Sequence, residues 1–335
     1  MFTDIKIRRK GLNKKIKIIF LVGIILGCVT NGYYVWNVYY KRPQAMLMLE
    51  RLFEEGADIA VLIDDEKSRY IDTWEEFDKI RYDDIVTLDI LDISLTDREW
   101  KLLRFLPNLS DLRINNTKIT NSGFRSITKI PRLKRLYLCR ENLSKVNFHG
   151  LYRLKSLEYL GFVECKNGKW NSLSQQYIPS LITLTISICD IKTDDLTFLA
   201  SFPNLESLYI TSVPIDDGLA DYLSENKKLK VLYLGENKVT GHFFEKLKAP
   251  EKYETIWIWR NDISDEGIPA LKNFTNLKDL ALTGNNISNK SLPIFLSMEH
   301  LLSCDISKTS IDEEGKKQLA EAMEQNFYKQ DTKIF

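Results

Sequence analysis

LSDLRINNTKITNSGFRSITKIPR (residues 109–132) and LKDLALTGNNISNKSLPIFLSMEH (residues 277–300) share one spacing, with apolar side chains at positions 1, 4, 6 and 11 and a polar one at position 9. The spacing recurs every 24 residues, ten times and without an insertion, in units beginning at Ile85, Leu109, Leu133, Leu157, Leu181, Leu205, Leu229, Tyr253, Leu277 and Leu301. Position 4 is leucine in eight units, with Ile256 and Cys304 in the other two, and position 6 is apolar from Ile90 to Ile306. Position 11 fails once, at Asn167.

Positions 4 and 6 sit two residues apart, so on an extended chain they point the same way, and the unit begins as a short strand. Apolar residues later in the unit, such as Phe124, Ile127 and Ile130, recur at helical spacing and close the core from the other side. One unit cannot bury its own apolar face, so the units stack into a solenoid. With strands about 4.8 Å apart, nine steps give an inner arc of roughly 43 Å.

This pattern resembles the leucine-rich-repeat family, LxxLxLxxNxL, over about 240 residues. The resemblance implies an α/β solenoid, right-handed and horseshoe-like, with a parallel sheet on its concave face; the fold expected for the whole chain adds an N-terminal transmembrane helix, read from residues 18–40. Units carrying ITNSGF, ISDEGI and IDEEGK resemble a bacterial subtype with an I-T-D-x-G-L turn, which makes Thr120, Ser264 and Asp312 expected helix N-caps. Position 9 is the polar turn of each coil: Asn237, Asn261 and Asn285 late in the array, Thr117 and Thr309 near its ends, Cys165 and Cys189 in the middle. Their expected work is structural, because buried turn amides need partners and an Asn side chain both donates and accepts. Cys165 and Cys189 fall one above the other, so a disulfide between them is weighed against two thiols and judged the poorer reading on Cβ direction.

The 335-residue chain is 44% hydrophobic and 28% charged, a folded composition, and its net charge of +1 conceals an asymmetry. Residues 1–17 carry seven basic side chains against Asp4, residues 18–40 carry no charge, and the remainder is −5. A mildly acidic body argues against nucleic acid as a partner, since phosphate binding rests on a basic face. The basic lead followed by IIFLVGIILGCVTNGYYVWNVYY (18–40) reads as an export segment with its lysines and arginines held in the cytoplasm. Tyr33, Tyr34, Trp36, Tyr39 and Tyr40 have the composition of an interfacial belt, and as a helix the stretch would span roughly 35 Å, which favours a retained anchor. A cleaved signal stays open. So does a lipoprotein, because Ile25-Leu26-Gly27-Cys28 resembles a bacterial lipobox that would place a lipid on Cys28. All three readings put the repeats outside the cytoplasm.

The expected organisation is therefore a basic segment (1–17), an anchor helix (18–40), an N-terminal cap of helix plus hairpin (41–84), ten repeats (85–324), and a closing helix and tail (312–335). Met46, Leu49 and Phe53 are expected on the buried side of the first cap, and Leu319, Met323 and Phe327 on that of the last. Residues 41–84 lack the Leu-Pro pattern of an F-box.

Five scattered cysteines make neither a disulfide framework nor a zinc site. His149, His242 and His300 fall on different coils, no glycine loop cradles phosphate, and acid pairs such as Asp64-Asp65, Asp194-Asp195 and Asp216-Asp217 suit exposed turns better than calcium. No enzyme and no cofactor are expected. The informative positions face outward from the strands. Tyr209, Tyr233 and Trp257 at position 5, with Trp259 at position 7, form one aromatic patch, and Arg260 and Glu236 lie at its margin. That is the composition of a protein-binding hot spot, set against the alternative that cross-strand rings only stabilise the sheet. The expected function is a membrane-tethered module that binds a protein through its concave face. A surface scaffold or envelope-structural protein is the alternative, and a carbohydrate-binding module comes third.

Overall fold

A computed structural model describes residues 42–331 apart from 65, 66, 78, 80 and 82. The expected anchor at 18–40, the basic stretch before it and Cys28 lie outside the described residues. Among the described residues, no helix is long and apolar enough to cross a membrane.

Strands form where the repeat alternates. The array contributes β3 (Ile85–Leu91), β4 (Asp111–Asn115), β5 (Arg135–Cys139), β6 (Tyr159–Val163), β7 (Thr183–Ser187), β8 (Ser207–Thr211), β9 (Val231–Gly235), β10 (Thr255–Trp257), β11 (Asp279–Ala281) and β12 (Ser303–Asp305). They lie in chain order as ten parallel strands, each paired with the next at a shift of 24 residues, so that Leu88 faces Leu112 and Leu112 faces Leu136. The position-4 and position-6 side chains are buried in a continuous column, with Cys304 of the last coil only partly covered. Phe124, Ile127 and Ile130 close the second coil from the other side.

Asn167, the one polar residue at position 11, is exposed. Trp170 turns inward three residues later, with its ring centroid 5.1 Å from that of Phe162 and 5.8 Å from that of Phe148. An aromatic thus fills the volume that an aliphatic side chain fills in the other coils.

Every coil turns the same way after its strand. Position 8 is left-handed throughout, with φ between 49° and 58° at the nine non-glycine residues from Asp92 to Lys308, and 71° at Gly284. The reversal brings position 9 back toward the core. It also lets the position-8 N–H bond the position-7 carbonyl of the next coil, as from Glu236 to Trp259 at 2.9 Å.

At the N-terminal end, helix Arg42–Glu54 buries Ala45, Met48, Leu49 and Leu52. Met46 and Phe53, expected on that face, sit at its flanks, where Phe53 stacks on Phe77 at 5.0 Å. The helix is rotated by one residue from the expected seating. β1 (Asp58–Asp64) and β2 (Lys67–Tyr70) form an antiparallel hairpin, and β1 pairs antiparallel with β3, covering the edge of the first coil.

At the other end, helix Glu313–Asp331 is capped by Asp312, whose Oδ1 accepts from the Gly315 N–H at 2.8 Å. Leu319 and Met323 are buried, but Phe327 is 54% exposed rather than part of the closing stripe. Asn326 takes the buried place beside it and donates to the Met298 and Leu301 carbonyls at 3.1 and 3.0 Å. The last coil's orphan carbonyls need a donor more than they need another ring. Thr120 caps helix Asn121–Ile127 through Gly123 N–H. Ser264 caps no helix: its carbonyl accepts from Gly267 N–H, and a 3₁₀ turn follows from Ile268 to Asn273. Pro269 sits at the start of that turn.

Candidate functional site

Parallel pairing in register lines up like positions, so side chains at position 5 form a row across the open face of the sheet. Tyr209 is paired with Tyr233, and Tyr233 with Trp257. Their rings follow that register, with centroids 4.6 Å apart at both steps and planes tilted by 37° and 40°. Trp257 Nε1 donates to the Asp279 carboxylate at 2.9 Å and so fixes the far end of the stack. Burial within the stack pushes the Tyr233 hydroxyl above its ordinary pKa.

Trp259 lies two residues further along the chain, on the same face but in the position-7 row. Its indole occupies the space over Gly235, where an added Cβ would lie 2.1 Å from Cζ2. Arg260 and Glu236 are both position-8 residues, and they bind one another at 2.6 Å, while the Ser212 hydroxyl donates to the second Glu236 oxygen at 2.8 Å. The hydrogen bonds from Ser212 and Arg260 hold the Glu236 carboxyl below the usual carboxylate range. The six residues singled out in the sequence are thus a three-ring stack, a tryptophan in the adjoining row, and a self-paired ion pair at the rim.

The row continues further than the sequence reading took it. Asp89 and Arg113 pair at 3.3 Å, and the Arg113 guanidinium sits 4.8 Å from the centre of the Tyr137 ring. Tyr137 and Tyr159 stack at 4.5 Å and close over Gly161, where a Cβ would meet both rings at 3.1 Å. Tyr159 and Thr185 then share a hydroxyl hydrogen bond of 2.7 Å. Strand alternation places Tyr137 at position 5 and Tyr159 at position 3 on this face. Their meeting depends on the glycine between them, which is the signal that joins them.

The turn residues at position 9 face the other way. Asn261 donates to the Leu234 and Trp259 carbonyls at 2.7 and 2.9 Å and accepts from Val239 N–H at 3.1 Å. Asn285 repeats the arrangement toward Ile258, Leu282, Asn261 and Ile263, and Asn237 toward Ile210 and Val213. Cys165 and Cys189 are free thiols. Each donates to the carbonyl 27 residues earlier, Cys165 to Leu138 at 3.1 Å and Cys189 to Phe162 at 3.6 Å, the slot that the asparagine amides fill. Contact with Cys189 and burial push the Cys165 thiol upward, so it stays a protonated donor. Glu141, which the sequence reading passed over, stands at the same position and is buried. Its carboxylate supplies the accepting half, taking Thr117 N–H at 2.6 Å, the Thr117 hydroxyl at 2.8 Å and Ile119 N–H at 3.2 Å.

The histidines stay apart. His242 faces Glu245 at 3.1 Å, and His149 meets Tyr152 edge-on at 6.1 Å. His300 lines a cleft with Lys272 and Glu299. Asp217 accepts from the Thr240 N–H and hydroxyl, and Asp216 from Gly218 N–H, so these acids are spent on turns. Among the described residues, no group of three or more His, Cys, Asp or Glu converges as a metal site would.

No family model matches the chain, and no curated protein matches it. Solved structures do. An internalin C2 from Listeria monocytogenes is similar at 23% identity over 68% of this chain and 82% of its own, with a TM-score of 0.40. An internalin F from the same organism is similar at 18% identity over 83% and 92%, with a TM-score of 0.43. TLR13, in complex with ssRNA13, is similar at 20% identity over 66% of this chain and 35% of its own, with a TM-score of 0.50. Likeness at these identities is likeness of fold, and it agrees with the ten coils stacked in register: the chain folds as a leucine-rich-repeat solenoid.

Proposed function

We propose that this chain is a membrane-tethered binding module that takes a protein partner on the open face of its sheet. The supporting observation is the aromatic row Tyr209–Tyr233–Trp257, with Trp259 beside it over Gly235. Four large, half-buried rings on one strand face make a larger apolar surface than a sheet needs, and partly exposed Trp and Tyr beside a charged rim are what protein interfaces use as anchors. The basic lead and the uncharged stretch 18–40 support the tether and an extracytoplasmic location for the repeats. The reading involves no catalysis, cofactor or nucleic acid.

A carbohydrate module is the weaker reading because sugars stack on an open ring face. Rings whose centroids lie 4.6 Å apart cover part of one another's faces, which leaves less open ring face for a sugar. The test is affinity capture with the full chain and with a Trp257→Ala, Trp259→Ala variant, followed by mass spectrometry of what is held. Loss of a protein in the variant supports the reading. Equal capture moves the site elsewhere, and displacement of the captured material by a free sugar favours the third reading.

A further inference from the structure

Coils six to nine carry a second feature, on the edge where the chain enters the strands and away from the aromatic row. A cleft of about 300 Å³ is lined there by Lys227, Lys228, Lys230, Lys252 and Lys278. Only two carboxylates, Glu251 and Glu254, stand among these five ammonium groups.

The repeat itself does not ask for lysines there. Positions 23 and 24 read Pro107-Asn108, Pro131-Arg132, Lys155-Ser156, Pro179-Ser180 and Pro203-Asn204 in the first five coils, and Lys227-Lys228 in the sixth. Where position 24 is asparagine it has structural work. Asn108, Asn204 and Asn276 each donate to the carbonyl 25 residues earlier, at 2.7, 2.8 and 2.7 Å. Lys228 gives up that bond. Lys227 and Lys228 are both exposed, and among the described residues neither ammonium group meets a carboxylate.

The rest of the cleft is held in place. Glu254 bridges Lys230 at 2.7 Å and Lys278 at 3.7 Å, fixing two ammonium groups from alternate coils on either side of it. The Lys252 ammonium donates to the Leu223 and Asn226 carbonyls at 3.2 and 3.1 Å and lies 5.0 Å from the centre of the Tyr253 ring, which leaves its third proton without a hydrogen-bond acceptor among the described residues. Burial holds Lys252 below the usual lysine range, a penalty that a bound anion would relieve.

From this arrangement we infer that the cleft binds a tetrahedral oxyanion, a phosphate or phosphate-ester group, with Lys227, Lys228 and Lys252 as its ligands. Lysine is a compact point charge with rotatable donors and suits a phosphate approached from several sides. A site for planar carboxylate would favour the arginine fork, and no arginine lines the cleft.

Isothermal titration of the full chain at fixed low ionic strength tests this, with pyrophosphate, inorganic phosphate and, as a control, the dicarboxylate succinate. A flotation assay with vesicles of phosphatidylglycerol, and of phosphatidylcholine alone, forms the second arm. Saturable binding of pyrophosphate is expected, at least tenfold weaker in Lys227→Gln with Lys228→Gln and unchanged in Trp257→Ala with Trp259→Ala. Binding of pyrophosphate identifies a soluble phosphate source. Flotation restricted to the anionic vesicles and lost in the lysine variant identifies a lipid headgroup, provided both proteins carry the same residues 1–40. Absence of binding in both arms overturns the inference. So does binding that survives the lysine substitutions, or succinate bound as tightly as pyrophosphate. Both lysines are exposed, and an unchanged melting temperature confirms that the variant is folded.

Discussion

Trp259 lies on Gly235: the indole fills the volume that a side chain at 235 would need, with Cζ2 2.1 Å from where a Cβ would stand. The glycine is at position 7 of the coil before, so the seat of this tryptophan is set by a residue 24 positions earlier. Gly235→Ala should therefore lift the indole off the sheet without touching a core side chain. The expected result is a shift in tryptophan emission and a stability loss of about 1–3 kcal/mol, the usual range for overpacking. Crystallography of the variant with Trp259 unmoved would contradict the dependence.

Asn261 makes three hydrogen bonds from one buried side chain, two as donor and one as acceptor. Asn261→Ala leaves the Leu234 carbonyl and Val239 N–H short of a partner, at a cost of about 1–3 kcal/mol. Urea denaturation should show a lower midpoint with the slope unchanged. Cys165→Ala should cost less, because the thiol serves only the donor slot, at 3.1 Å to Leu138. If the two variants melt alike, the turn is solvated and the ladder is not what holds it.

The strands, their order and their register were legible because one period of 24 residues governs them all, and a pattern repeated ten times averages out its own exceptions. The outward-facing rings were legible for the same reason, since alternation on a strand assigns a face without further information. What was not legible depended on contacts across coils. Phe327 follows the closing helix's apolar spacing, yet Asn326 is buried instead, because only the folded last coil reveals the Met298 and Leu301 carbonyls awaiting a donor. The work of Glu141 comes from the preceding coil, whose Thr117 and Ile119 amides donate to it, a contact that no local pattern displays. The joining of Tyr137 to Tyr159 rests on Gly161, a residue with no side chain to read.

Ile188 is 54% exposed and holds φ at 53°, in the left-handed region that a β-branched side chain strongly disfavours. Position 8 requires that conformation in every coil, and the others supply Asp, Asn, Arg, Glu, Ser, Gly or Lys. Because little apolar surface is lost, Ile188→Asn should stabilise the chain by about 1 kcal/mol, the left-handed penalty for an L-residue. A rise of a few degrees in melting temperature is the expected reading. A fall would mean that the isoleucine contributes packing that its exposure conceals.

Acid should weaken the array in part through Asp265. Burial opposes its ionisation, but the Ser288 N–H and hydroxyl, at 2.8 and 2.6 Å, and the Ser291 hydroxyl, at 2.5 Å, outweigh it and hold the carboxyl below its ordinary value of 3.8. A group whose folded pKa is depressed stabilises the fold above its unfolded pKa and loses that contribution as pH falls through the folded value. Stability measured from pH 6 down to pH 2 should fall in that acidic window, and by less in Asp265→Asn. Much of this carboxylate is solvent-screened, so the difference should be small. Identical pH profiles would remove Asp265 from the explanation.

The aromatic row separates binding from sheet stability by magnitude. Trp257 makes one ring contact, with Tyr233 at 4.6 Å, and one hydrogen bond, with Asp279 at 2.9 Å. A ring pair of this kind contributes about 0.5–1.5 kcal/mol to folding. An aromatic anchor at an interface typically carries about 2 kcal/mol or more of binding, near thirtyfold in affinity. Trp257→Ala with Trp259→Ala should therefore lower the melting temperature modestly and abolish partner capture. Trp257→Phe keeps a ring in the stack but loses the Asp279 bond, and it should restore most of the stability while leaving capture impaired. Should the double alanine variant unfold, the Phe variant carries the test alone. Full capture by a chain in which residue 257 has lost the indole nitrogen and one of its two fused rings would show that the row exists to hold the sheet together.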